Sequence, residues 1–135
     1  MAFTGNFTCN SFKSGLIDGD FDFDTDTFKI ALYTNSATLN AETAAYTATG
    51  EVSASGYSAG GNTLTVSKGI TGGTAFITFA DTSWSAAITA RGALIYKDGG
   101  ATVCVLDFGS DKTSTTTFSV DFPAASSTDA LIRLS

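Results

Sequence analysis

The chain has no histidine, one proline, two cysteines and only seven Lys plus Arg among its 135 residues. Without an imidazole, no side chain titrates near neutrality at its ordinary value. That excludes Ser/His/Asp hydrolysis, Cys/His proteolysis and most catalytic zinc sites. Seven cations against thirteen Asp plus Glu give a net charge of −6. So sparse a basic complement cannot track a phosphate backbone, and nucleic acid is not an expected partner. No apolar run approaches the roughly 20 residues of a membrane-spanning helix, so no membrane partner is expected either. The first ten residues carry neither a basic segment nor a continuous apolar one and do not read as a secretory signal. Two cysteines permit one disulfide, but Cys104 sits in the apolar run Thr-Val-Cys-Val-Leu and is expected to be a buried free thiol.

What the chain does contain is apolar and small. Hydrophobic residues make up 43% and charged residues 15%, against a typical charged share of about 25%. This is enough apolar material for one core and too short a chain for two, so residues 1–135 are expected to form a single domain. Thr, Ser, Ala and Gly fill the place of the missing charges. The resulting surface suits a protein that packs against copies of itself or a larger assembly.

Alternation of apolar and polar residues marks strands. In residues 116–122, Phe118, Val120 and Phe122 face one way, while Thr117, Ser119 and Asp121 face the other. Further strands are expected over 27–34, 63–68, 74–80, 88–97, 102–108 and 130–134, all rich in β-branched or aromatic residues. Lys97-Asp98-Gly99-Gly100 marks a hairpin turn, and Gly60-Gly61-Asn62 and Gly72-Gly73 bound further short segments. Helix is confined to 11–17 and 39–46, the second helped by Asn40 as an N-cap. Residues 47–61 form the longest expected loop. The fold class is therefore all-β: an antiparallel β-sandwich or squat β-barrel with at most one or two short helical turns.

Several residues are candidates for function. Carboxylates fall on every second position through Asp18, Asp20, Asp22, Asp24 and Asp26, with Phe21 and Phe23 between them. Asp18, Asp20, Asp22 and Asp24 are the candidate calcium ligands. However, an EF-hand loop counted from Asp18 needs Gly and Glu where Phe23 and Lys29 stand. The expected reading is an amphipathic edge strand, its Phe residues in the core and its carboxylates deterring edge pairing. Paired carboxylates also admit a glycoside hydrolase, although residues two apart on a strand share a face without flanking a substrate. Gly69-Ile70-Thr71-Gly72-Gly73 lacks the Lys-Ser/Thr ending of a phosphate loop and is turn chemistry.

Trp84 lies between two strands and is either a packing residue or an anchor for a partner or sugar. Arg91 projects from a sheet face, where it can pair with Asp107 or with a neighbouring subunit. Phe3, Phe7 and Phe12 make residues 1–16 unusually aromatic for a terminus. This segment either buries itself in its own chain or acts as an arm on a neighbour. Phe3, Phe7, Phe12, Trp84 and Arg91 are thus the interface candidates.

The run Phe28-Lys29-Ile30-Ala31-Leu32-Tyr33-Thr34, then Gly50-Glu51-Val52, Gly56-Tyr57 and Gly60-Gly61-Asn62-Thr63-Leu64, resembles small structural proteins of tailed bacteriophages. Ala90-Arg91-Gly92-Ala93-Leu94-Ile95-Tyr96 and Val105-Leu106-Asp107-Phe108-Gly109 extend the resemblance, which covers about Phe12 to Leu134. It implies a non-enzymatic virion component: an all-β capsid decoration, or cement, protein made in the host bacterial cytoplasm and placed on the capsid exterior. The implied partners are the major capsid protein and the chain itself, as a homo-oligomer. A trimer is expected, because it suits local three-fold positions. No catalytic, cofactor-binding or metal-binding residue comes with the resemblance. The alternative is a tail-associated host-recognition module, with Trp84 and the tyrosines facing a glycan.

Overall fold

A computed structural model describes Phe3 and residues 5–135. The fold is all-β and sandwich-like, with antiparallel sheets that do not close into a barrel. Its elements are β1 (Phe7–Thr8), α1 (Asn10–Asp18), β2 (Phe28–Tyr33), β3 (Asn62–Leu64), β4 (Val66–Thr71) and β5 (Thr74–Phe79). They continue with β6 (Thr82–Trp84), β7 (Thr89–Lys97), β8 (Thr102–Thr113), β9 (Phe118–Val120) and β10 (Ile132–Leu134).

The first layer is the sheet β1-β8-β7-β2-β3. Its middle strands are nearly continuous apolar runs, Phe-Lys-Ile-Ala-Leu-Tyr in β2 and Gly-Ala-Leu-Ile-Tyr in β7, because both faces are covered. One face carries Phe28, Ile30, Leu32, Ala93 and Ile95 into the larger core, against Trp84, Ile88, Phe79 and Phe118. The other carries Ala31, Tyr33, Leu94, Tyr96 and Val105 into a smaller core closed by Phe3, Cys9, Ala37 and Leu39. Cys9 and Cys104 therefore belong to opposite faces of the sheet, and both are free thiols.

Phe3 and residues 5–16 pack back on their own chain. Phe3 is buried over Gly92, where any Cβ would collide with the Phe3 ring and the Leu106 carbonyl. Gly92 is thus what lets the terminus lie flat on the sheet. β1 pairs with β8, placing Thr8 opposite Cys104. In α1, Phe12 is buried and meets the Phe21 ring at a tilt, with centroids 5.1 Å apart. The helix ends at Gly19, whose φ of 78° is the left-handed conformation that closes such ends.

The second layer is built on a bent hairpin. β3 runs into β4 across Thr65, whose carbonyl accepts Ala80 N–H at 2.9 Å, and β5 runs into β6. β10 pairs with β5 and β9 with β6. Because β3 also pairs with β2, the layers are joined along that side. On the other side, β1 and β8 face β9 and β10 without pairing, and clefts line this open seam.

Several expectations need correction. Residues 39–46 form no helix: Asn40 Oδ1 accepts Glu42 N–H at 2.8 Å in a local turn, and Ala45 bridges Ala101. Its backbone is used by the start of β8 and not by a helical ladder. Residues 18–26 do not form an edge strand; beyond the end of α1 they are turns. The expected strand 63–68 is split at Thr65, and 116–122 shortens to Phe118–Val120. β8, by contrast, runs five residues beyond its expected end at Phe108.

Candidate functional site

The acidic run is folded around its own carboxylates. Asp22 Oδ1 accepts Asp24 N–H at 2.9 Å, and Asp26 Oδ2 accepts Asp22 N–H at 2.8 Å. Asp24 pairs with Lys68 at 2.9 Å and Asp26 with Lys97 at 3.2 Å. The Asp24 backbone N–H, then the Thr25 side chain, hold the exposed Asp22 carboxyl below its usual range. Phe21 and Phe23 do turn inward, Phe23 stacking on Phe28 at 4.5 Å. Asp18, Asp20, Asp22 and Asp24 thus serve turns, ion pairs and solvent, and no cluster able to hold a metal occurs among the described residues.

The interface candidates from the sequence turn mostly inward. Trp84 is buried between Tyr57 and Phe118, at 5.8 Å and 6.4 Å, and so cannot face a partner. Phe3 and Phe12 are buried within the same chain, and Phe7 is half-buried against the smaller core. Arg91 pairs with Asp107 of its own chain. Nε donates to Oδ1 at 3.1 Å and Nη2 lies 3.0 Å from the same oxygen, with side-chain exposures of only 15% and 11%. The guanidinium also lies 5.9 Å over the Phe3 ring, locking the terminus down.

Two further features stand at the surface. The first is an apolar row across the end of the three-stranded sheet. Ile70 pairs with Ala75, and Ala75 with Leu134, so the three side chains share one row on the core-facing side. The sheet runs past the core it covers, leaving Ile70 72% and Leu134 48% exposed. Beside this row, β4 has an unpaired outer edge, and five of its six residues are exposed. Ile70 lay inside a segment read only as a turn, so no sequence signal distinguished it.

The second feature gathers all four tyrosines of the chain, Tyr33 from β2, Tyr96 from β7, Tyr46 and Tyr57, around the 47–61 loop. Glu51 is the hub: it accepts from the Tyr46 hydroxyl, from the Tyr57 hydroxyl at 2.6 Å and from Gly60 N–H at 2.8 Å. Tyr33 donates to Thr47 O at 2.6 Å and Tyr96 to Gly60 O at 2.6 Å. Burial, then the nearby Glu51 charge, push Tyr96 up to about 12. Burial and the hydrogen bond to Glu51 do the same for Tyr46, also to about 12. Burial drives Tyr33 and Tyr57 higher still. These phenols remain neutral donors, and their work is to tie an irregular loop to a rigid sheet. The sequence marked this loop by length and glycine content, but not its tyrosine anchors.

No protein family matches the chain, and neither a curated protein nor a solved structure does.

Proposed function

We propose that the chain is a non-enzymatic structural protein of a tailed-phage virion, which decorates the capsid exterior and stabilises the shell by bridging capsid subunits. The observation that carries this reading is the Ile70–Ala75–Leu134 row beside the free edge of β4. In a chain that covers both faces of its central sheet, this row leaves large apolar side chains uncovered. Exposed apolar groups beside an unpaired strand edge favour association with another surface. The resemblance to phage structural proteins supplies the identity of that surface, the major capsid protein. Homo-oligomers, trimers in this reading, place several such edges on the shell at once, and many weak contacts then resist opening together.

Gold-labelled antibody microscopy tests the location. Dense label over heads is expected, whereas label confined to tails would replace this reading with a host-recognition module. Particles assembled without the protein should release DNA at lower temperature, and adding back Ile70→Asp protein should restore less of that resistance than the unaltered chain. Equal heat resistance with and without the protein would overturn the stabilising role.

A further inference from the structure

We propose that the cleft between the Lys97–Gly100 turn and the 45–60 loop is a binding site for a neutral carbohydrate, with Tyr46 as its stacking platform and Lys29 and Asp98 as its hydrogen-bonding groups. The cleft lies at one end of the smaller core, on the face of the central sheet where Lys29 and Tyr96 are directly paired across β2 and β7. Its volume is about 600 Å³, within the range of small-molecule sites, and Ala45, Ala59, Gly99 and Gly100 leave its walls low.

Three observations favour a sugar. The half-buried Tyr46 ring lines the cleft and is held in place: it stacks on Tyr96 at 5.0 Å, and its hydroxyl is tied to Glu51. A rigid aromatic wall is what the C–H face of a pyranose packs against. Next, both charged side chains lining the cleft are free. Among the described residues neither the Lys29 ammonium nor the Asp98 carboxylate has an ion-pair or hydrogen-bond partner, so both are open to a ligand. Lys29 supplies a donor and Asp98 an acceptor. They offer charge-assisted hydrogen bonds to hydroxyl groups. Finally, Gly60 lies close to both the Lys29 head group and the Tyr96 hydroxyl. A Cβ placed at Gly60 would lie 3.2 Å from Lys29 Nζ and 3.3 Å from the Tyr96 oxygen. With its φ of +95°, this position brings the loop close enough to form the cleft without filling it.

The inference does not rest on the proposed capsid role, because it concerns the isolated chain and holds for a protein on either head or tail. Its test is saturation-transfer NMR on the purified protein with a panel of neutral mono- and disaccharides, free amino acids serving as charged controls. Transfer to sugar ring protons is expected, together with amide shifts at Gly99 and Gly100. Asp98→Asn and Lys29→Met should each weaken binding about tenfold, the worth of one hydrogen bond to a charged group. Tyr46→Ala should abolish binding, and Tyr46→Phe, which keeps the ring but loses the tie to Glu51, should retain a measurable part. Because Tyr46→Ala also loosens the loop, the two surface variants decide the matter if it fails to fold. No transfer to any sugar, transfer that survives Asp98→Asn and Lys29→Met unchanged, or shifts given by amino acids alone would overturn the proposal.

Discussion

The central sheet and the three-stranded sheet are built from the same kinds of residue but put them to opposite use. In β2 and β7, successive residues enter different cores, so nearly every side chain is buried and every change is felt. In β4 and at the ends of β5 and β10, only one face meets the core, and the sheet then runs past it into solvent. Strand-forming sequence is therefore no guide to stability by itself. What matters is whether a second layer lies over the row. The first region holds the molecule together, and the second is free to meet something else.

Breaking the central sheet should have the largest effect. Ile95→Ala removes a fully buried side chain and leaves a cavity, and is expected to cost about 2–5 kcal/mol in denaturant unfolding. Ile70→Ala, the same deletion of apolar atoms at a 72% exposed site, should fall within about 0.5 kcal/mol. Equal losses at the two positions would show the apolar row to be covered within the folded chain.

A smaller effect is expected from the ion pair that fastens the terminus. Asp107→Ala leaves Arg91 mostly buried without its partner. It should cost about 2–3 kcal/mol, below the full value for a buried pair because both side chains keep some contact with water. Replacing both partners, Arg91→Met with Asp107→Leu, should recover part of that loss. The recovery separates the penalty of a stranded charge from any net worth of the pair.

The smallest effect sharpens the comparison by pH. Tyr46 and Tyr96 are neutral up to about 12 in the folded chain but ionise from 10.0 when unfolded. Above that lower value the unfolded chain has released protons that the folded one still holds. Their contribution is therefore complete at neutral pH and is lost as pH rises through the upper value. An alkaline titration followed by phenolate absorbance and unfolding should show stability declining across this window, by less than the full shifts would give because solvent screens the partly exposed Tyr46. The decline should begin in the 47–61 loop, while the β4–β5 hairpin, which has no tyrosine, should show none of its own.

Much of this was legible in the chain. The alternation in Phe118-Ser119-Val120 places buried, exposed and buried side chains as expected, and the Asp98-Gly99-Gly100 turn joins β7 to β8. Both are local effects: a pleat of period two, and backbone angles that Asp and Gly tolerate. The pairing of Arg91 with Asp107 was one of two options, and the cross-strand register, which sets Gly92 opposite Asp107, selected it. β1 and β6, with two and three residues, are too short to carry a periodic signal. The alternation of Asp and Phe in residues 18–26 is a true period of two that is not a strand. Asp22 and Asp26 satisfy the backbone locally, and the Phe rings reach the core from a turn.

The candidate site was less legible than the fold. Tyr33, Tyr46, Tyr57 and Tyr96 span some sixty residues and meet only because the 47–61 loop folds over the sheet, drawn in by Glu51. Trp84, the aromatic that stood out in the sequence, is packed away, while Tyr46 lines a cleft.

By itself the sequence determined the absence of an imidazole, the acidic balance and the antiparallel β class, since these follow from composition and local periodicity. Tertiary structure alone decided which strand face meets the chain's own second layer and which meets solvent. A row of Ile, Ala and Leu has the same β propensity in either place. Only the extent of the opposing layer, set by contacts far apart in the chain, removes it from water or leaves it exposed.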